Sequence, residues 1–105
     1  MYIRCIEPSD DPEIGQLIRS VLLEFNVPKV GTAYSDKSLN CMYQFYQNPR
    51  SRYFVLTDGQ KIFGGSGIAP LASYDRNYCE LQKMYFAKQV RSKGYGRQMM
   101  NFCLE

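Results

Sequence analysis

A short basic segment with two glycines, residues 91–96 (RSKGYG), points most directly to chemistry. It follows a strand-like run, residues 80–86, and precedes a helix-like run, residues 97–105. Glycine permits positive φ angles and lets a ligand approach the backbone closely. Successive N–H groups can then point into one concavity, to which the helix dipole adds positive potential. The segment therefore predicts a phosphate cradle, strengthened by its own two cations and by Arg97.

Other glycine-containing motifs fit this segment less well. A P-loop needs Gly-x-x-x-x-Gly-Lys-Ser/Thr, which is absent, and a dinucleotide fingerprint needs a third glycine where Met99 stands. Residues 93–96 copy the opening of the RNP1 motif of RNA-recognition modules, and residues 2–4 loosely match their other RNA-binding strand. The aromatic residue that should follow is missing, because residues 97–99 are RQM. RNA recognition is thus a remote alternative, and no nucleic-acid partner is expected.

The strand that leads into the cradle has apolar residues whose spacing breaks strict alternation. Leu81 is separated from both Met84 and Phe86 by an odd number of positions, so a regular strand cannot place all three on one face. A β-bulge would solve this conflict and would leave backbone groups unpaired. We expect the bulge between Gln82 and Tyr85.

Strand and loop together resemble the acetyl-CoA-binding motif of the GNAT superfamily of N-acetyltransferases. The motif has the form Glu-Leu-x-x-apolar-Tyr-apolar followed by Arg-x-x-Gly-x-Gly, and it is matched at Glu80, Leu81, Met84, Tyr85, Phe86, Arg91, Gly94 and Gly96. Lys88 stands where proline is frequent, and Ser92 stands where glycine is frequent. Both substitutions are expected to be tolerated, on the view that neither position needs a positive φ.

The resemblance implies direct transfer of an acetyl group from acetyl-CoA to a small-molecule or peptide amine, without a metal. It implies that the backbone of Met84, Tyr85 and Phe86 binds the acetyl oxygen and the pantetheine arm. It implies a pyrophosphate cradle made by Arg91, Ser92, Lys93, Gly94, Tyr95, Gly96 and Arg97. It also implies a general base, Glu80, that removes the proton of an amine whose pKa is about 10.4. A solvated charge at the strand edge is the alternative reading of Glu80.

The elements before the motif follow from periodicity and turn residues. Residues 2–7 alternate weakly and predict a strand. Asp11 as helix cap and Pro12 in the first turn open a helix, which Val27 and Pro28 end. Its apolar face has helical spacing and comprises Ile14, Leu17, Ile18, Val21, Leu22 and Phe25.

A second helix is expected from about Asp36 to residues 48–49, and then three strands. Residues 52–57 are rich in β-formers, Asp58-Gly59 indicates a hairpin, and a strand follows from Lys61. Close packing or a bulge is expected at the strand glycines 64, 65 and 67. The loop 28–37 is expected to shape the acceptor site. Four tyrosines could line that site, although packing is their commoner role: Tyr34, Tyr43, Tyr46 and Tyr74.

The predicted order is strand, helix, helix, three antiparallel strands and helix, an α/β fold of the α+β type. This is the order in which a GNAT domain opens, and we expect residues 1–105 to form a single, incomplete GNAT domain. The family's following strand, which completes the pantetheine slot, and its later tyrosine acid would then be missing. An exposed edge on the strand 79–86 would follow, and a homodimer across it is expected. A non-catalytic CoA-binding or assembly module is the alternative function.

Composition excludes some kinds of site but does not identify the function. The net charge of +3 suits an anionic cofactor, and 45% hydrophobic residues are ordinary for a globular chain. The chain has no histidine, and its four cysteines have no paired spacing, so zinc is not expected. Buried free thiols are predicted for Cys5, Cys41, Cys79 and Cys103. No long apolar run or signal-peptide pattern is present, so we expect a cytoplasmic protein without membrane partner.

Overall fold

The computed structural model describes residues 1–26, 37–70 and 79–104. An antiparallel sheet runs in chain order and comprises β1 (Tyr2–Cys5), β2 (Arg52–Thr57), β3 (Ile62–Pro70) and β4 (Cys79–Phe86). The helices are α1 (Asp11–Glu24), α2 (Met42–Phe45) and α3 (Tyr95–Leu104). Short 3₁₀ turns lie at Pro8–Asp10, Lys37–Asn40 and Lys88–Val90. The predicted α+β class and element order are confirmed.

Two apolar clusters lie on opposite faces of the sheet. The larger cluster joins α1 and α2 to β2 residues such as Tyr53 and Val55. The smaller one lies under α3 and has three buried members, Leu56, Val90 and Met99. Because successive strand residues point to opposite faces, β2 supplies both clusters. The sheet is thus thickly covered on one face and thinly on the other.

The first helix begins one residue earlier than its sequence signals indicated. Asp11 is its first residue rather than its cap, and its Oδ1 accepts a hydrogen bond from the backbone N of Tyr43 at 2.8 Å. The helix ends as Asn26 turns into the left-handed region with φ 60°. Phe25 was predicted on the apolar face but is 64% exposed.

The second predicted helix is broken into two pieces. The turn Lys37–Asn40 and α2 are separated at Cys41, which has φ −143° and ψ 50°. In a continuous helix the N–H of Tyr43 would bond to the carbonyl of Leu39. The carboxylate of Asp11 takes that N–H instead, so contact with α1 replaces the intrahelical bond.

The hairpin between β2 and β3 forms where the sequence placed it. Gly59 has φ 98°, and the Oδ1 of Asp58 accepts hydrogen bonds from the N–H groups of Gln60 and Lys61 at 2.8 and 2.9 Å. A carboxylate that caps its own turn is a common reason for aspartate before glycine. The turn sets the register of β3 against β2, and β4 pairs in turn with β3.

The prediction of four buried thiols is wrong for three of them. Cys103 is buried against the sheet, and burial raises the pKa of its thiol. Cys5, Cys41 and Cys79 are exposed free thiols because they lie at the ends of elements rather than in their packed centres. Within the described ranges, no helix is long and apolar enough to cross a membrane, and no cluster of potential metal ligands is found.

Candidate active site

The predicted bulge is present in β4. Tyr85 pairs with Gly65, and Gln82 pairs with Gly67, so that two residues of β4 stand opposite the single residue Ser66. One extra residue in one strand is the defining feature of a bulge. The irregular spacing of the apolar residues was therefore a correct signal.

The bulge is held open by a buried tyrosine. Lys83 has φ 49°, an uncommon angle for a residue with a side chain, and its carbonyl accepts a hydrogen bond from the Tyr53 hydroxyl at 2.8 Å. Tyr53 is 1% exposed, and burial holds the pKa of its phenol well above the usual value. The hydroxyl therefore stays neutral and donates. The Lys83 ammonium lies 5.0 Å from the ring centroid of Phe45, which links the bulge to α2.

The bulge also changes which residues share a face. Met84 and Phe86 pack into the cluster under α3, whereas Tyr85 packs against the cluster under α1 and α2. Gln82 contacts Tyr46 of the α1 and α2 layer, so it points to the same face as Tyr85, three positions away. Leu81 is 41% exposed.

Backbone groups near the end of β4 point to the edge that β3 does not cover. The N–H of Ala87 donates to the Phe63 carbonyl at 2.7 Å, and Phe86 pairs with Gly64. Because antiparallel strands alternate inward and outward backbone groups, the N–H of Phe86 is directed outward. The N–H of Met84 belongs to the same trans peptide as the Lys83 carbonyl, which points to the Tyr53 hydroxyl, so this N–H points away from Tyr53.

Glu80 lies exposed near the start of β4, in a short chain of hydrogen bonds. The Tyr46 hydroxyl donates to the Gln82 side-chain oxygen at 2.9 Å, and the Gln82 amide donates to the Glu80 carboxylate at 2.8 Å. Met84 follows Glu80 by four positions, or roughly 13 Å at about 3.3 Å per residue. The carboxylate is oriented by the protein but does not touch the bulge directly.

The loop after β4 bends through two left-handed residues. Gly94 has φ 86°, as glycine permits, but Ser92 also has a positive φ, of 63°. The expectation that position 92 needs no positive φ is therefore wrong. Gly96 lies in the first turn of α3 and, within the described residues, Gly59 and Gly94 are the glycines with positive φ. Gly96 therefore does not adopt the positive φ that was expected of it.

Unpaired backbone donors line the start of α3. Its first backbone hydrogen bond runs from Gln98 N to the Gly94 carbonyl, so the N–H groups of Tyr95, Gly96 and Arg97 precede it. A Cβ on Gly96 would come no closer than 4.0 Å to the Phe86 ring, and one on Gly94 would meet nothing within 4 Å among the described residues. The surface over these donors is open to a ligand.

The three cations around the loop differ in what they contact. Lys93 and Arg97 are exposed, and the described part of the chain offers neither of them a carboxylate partner. Arg91 instead donates to both oxygens of Glu24, at 2.6 and 2.9 Å, and to the Phe86 carbonyl at 2.9 Å. Glu24 was not predicted from the sequence, because nothing in local patterning joins residues this far apart.

The strand glycines make room for aromatic rings, as their expected close packing implies. The Phe86 ring lies against Gly64, and the Tyr53 ring lies against Gly65 and Gly67. Among the tyrosines considered for an acceptor pocket, Tyr46 is buried and Tyr43 packs at the edge of the core. Tyr34, Tyr74 and most of the loop 28–37 lie outside the described residues.

An apolar cavity of about 410 Å³ lies between the end of α1 and β4. Its walls come from α1, from the second half of β4 and from the cradle, and comprise Val21, Leu22, Phe25, Met84, Tyr85, Phe86 and Arg91. The cavity thus joins the bulged strand to the start of the loop that follows β4.

A bulged strand that feeds a basic loop and a helix with free N–H groups is typical of acyl-CoA N-acyltransferases, and the comparisons agree. The family model of the acetyltransferase (GNAT) family matches residues 17–105. The chain belongs to the GNAT acetyltransferase family.

Individual proteins resemble this chain in sequence or in fold. An uncharacterized N-acetyltransferase, YjgM of Escherichia coli strain K12, is 35% identical over 104 residues, which cover 98% of this chain and 62% of the relative. A GNAT acetyltransferase from Staphylococcus aureus Mu50 matches with a TM-score of 0.83 and 23% identity, over 98% of this chain and 63% of that one. A predicted acetyltransferase from Clostridium acetobutylicum, solved with acetyl-CoA, has a TM-score of 0.71 and 16% identity, over 98% and 70%. This chain spans less than two thirds of the length of the first two.

Proposed function

We propose that this chain carries the cofactor-binding part of an acetyl-CoA-dependent N-acetyltransferase that transfers acetyl to an amine. The observation that carries the proposal is the bulge between Gln82 and Tyr85, followed within a few residues by a left-handed loop that enters α3. These two features bring outward N–H groups and a helix N-terminus to one edge of the sheet. Both are suited to an acyl thioester with a pyrophosphate.

Each residue predicted for the site has a role in this proposal. The N–H groups of Met84 and Phe86 polarise the acetyl carbonyl and bind the pantetheine amides, and Tyr85 turns into the core to fix the strand. The backbone from Arg91 to Arg97 holds the pyrophosphate. The exposed side chains of Lys93 and Arg97 add the charge that anions attract.

Proton removal is assigned to Glu80. Since it lies roughly 13 Å along the strand from Met84, at about 3.3 Å per residue, we propose that water links it to the amine. The amine attacks the thioester carbonyl, and the C–N bond forms as the C–S bond breaks. The second proton that the nitrogen loses goes to the departing thiolate, so that CoA leaves as a thiol. Positioning and carbonyl polarisation supply the rate enhancement.

Titration calorimetry of the chain with acetyl-CoA tests the first step of the proposal, which is cofactor binding. Binding of one equivalent, competed by CoA and not by adenosine alone, is expected. A panel of amines with detection of released thiol then identifies the acceptor. Binding without transfer to any amine would favour a non-catalytic CoA-binding module, and absence of binding would contradict the proposal and leave an assembly module as the alternative.

Replacing Glu80 with glutamine is expected to lower kcat/KM by about 10²-fold, the lower range for loss of a general base. The Kd for acetyl-CoA should not change, because the carboxylate is remote from the cradle. Steady-state kinetics from pH 6 to 9 with an amine acceptor provide the measurement. The matched control is Glu7→Gln, an exposed glutamate on the other edge of the sheet. Equal rates for wild type and Glu80→Gln would leave Glu80 a solvated surface charge.

A homodimer across β4 and a cytoplasmic location are further proposals. Among the described residues β4 pairs on one side alone, with β3, so its other edge presents unpaired backbone groups. A second copy of the chain could pair there, and because the proposed pantetheine site uses the same edge, the dimer and the acetyl-CoA complex would be mutually exclusive states. Sedimentation velocity at rising concentration should show self-association, and a monomer at every concentration would contradict the dimer.

A further inference from the structure

All three nitrogens of the Arg91 guanidinium are engaged inside the protein. Nε donates to the Phe86 carbonyl at 2.9 Å, while Nη1 and Nη2 donate to the two carboxylate oxygens of Glu24 at 2.6 and 2.9 Å. The guanidinium carbon also lies 5.2 Å from the ring centroid of Phe25. A bidentate pair of this kind fixes direction as well as distance.

These contacts tie together three chain segments that meet at the cradle. Glu24 is the last residue of α1, Phe86 is the last residue of β4, and Arg91 opens the loop. The next residue is Ser92, whose left-handed φ of 63° a side chain disfavours. A strained residue persists only where its surroundings hold it, and the anchored Arg91 is its immediate neighbour.

The pair is better suited to orienting the loop than to stabilising the fold. The two side chains are 29% and 37% exposed, and exposed ion pairs contribute little to stability. Each partner still acts on the other: hydrogen bonding from Arg91 lowers the pKa of Glu24, and Glu24 raises the pKa of Arg91. Both groups are therefore charged throughout the neutral range.

We propose that Arg91 is a positioning residue and that Glu24 is its partner, the two acting as a clamp on the start of the phosphate loop. The inference rests on the proposed binding of acetyl-CoA. Glu24 then governs affinity for the phosphate part of the cofactor without touching it. The rival role, with Arg91 as a direct phosphate ligand, makes the opposite prediction for Glu24, because removal of that carboxylate would free the guanidinium to bind an anion.

Calorimetric titration of CoA and of S-acetyl-pantetheine, which lacks phosphates, separates the two roles. Glu24→Gln is expected to weaken CoA binding by about tenfold, within the usual range for coupled sites, and to leave S-acetyl-pantetheine unaffected. Arg91→Gln should weaken CoA binding similarly. The double variant should be no weaker than either single one, since both remove the same clamp.

The control variant is Glu7→Gln, which removes an exposed glutamate that also pairs with an arginine, Arg4, at 3.4 Å. It should bind CoA like the wild type, and all variants should keep an unfolding midpoint close to the wild type. Equal or tighter binding of CoA by Glu24→Gln would overturn the clamp. A wild type that binds no CoA would instead overturn the proposed function.

Discussion

Replacing Gly94 with valine is expected to abolish measurable acetyl-CoA binding while the chain stays folded. Gly94 has φ 86°, where a β-branched residue is a genuine outlier. Holding it there costs about 1–3 kcal/mol, so the loop will move to relieve the strain. Nothing in the described protein lies within 4 Å of a Cβ added at Gly94, so we expect the loss to come from the strained backbone and from the side chain's entry into the ligand's space. Affinity should fall by about 10²-fold or more, as misplacement of a binding group commonly causes.

Gly59→Val provides a closely matched control for that loss. Gly59 has φ 98° in the turn between β2 and β3, so valine imposes the same kind of strain there. Both variants should lose similar stability in urea titrations, whereas calorimetry should show weakened acetyl-CoA binding for Gly94→Val alone. Weakening of equal size in both variants would mean that general destabilisation, rather than the cradle, explains the result.

Gly67→Ala is expected to cause a large loss of stability. The added Cβ would lie 2.7 Å from Cδ2 of Tyr53, 2.8 Å from Cε1 of Tyr46 and 3.0 Å from the Arg52 carbonyl. Two of these neighbours are buried rings and the third is backbone, so none can yield easily. Overpacking of this kind costs about 1–3 kcal/mol. Urea unfolding followed by circular dichroism measures it as a shift of midpoint at constant slope.

Gly96→Ala is the control for that experiment because its Cβ would come no closer than 4.0 Å to another side chain. Alanine is favoured over glycine inside a helix by about 1 kcal/mol, so this variant should be neutral or more stable. The Gly67 variant should also disturb the bulge, since the ring it displaces is the one whose hydroxyl holds the Lys83 carbonyl. An unchanged midpoint for Gly67→Ala would show that the rings are not locked as described.

Local signals in the sequence were sufficient for most of the fold. The 3.6-residue spacing in α1, the Asp58-Gly59 turn and the odd spacing of Leu81 and Met84 each identified an element that the structure contains. Their common property is that the information lies within a few residues. Hydrophobic periodicity and turn chemistry report the local backbone, and no distant partner is needed to read them.

The errors arise where a distant residue decides the outcome. The predicted second helix is interrupted just before Tyr43, because Asp11, 32 positions away, accepts the hydrogen bond from the Tyr43 N–H. Ser92 adopts a positive φ beside an arginine that is anchored to Glu24, 67 positions away. No periodicity connects such pairs, so the site's residue types could be read from the sequence while its supporting contacts could not.

The thin apolar layer beneath α3 has a thermodynamic consequence for the cofactor. On that face the cluster has three buried residues, Leu56, Val90 and Met99, with seven partly buried ones around them, against eleven buried residues on the opposite face, within the described ranges. Segments with few buried contacts open locally at low free energy. If the N–H donors of α3 bind acetyl-CoA as proposed, ordering this helix offsets part of the intrinsic binding energy. By linkage, an anion bound at this end holds the helix onto the sheet, and the occupied protein is more cooperative than the empty one.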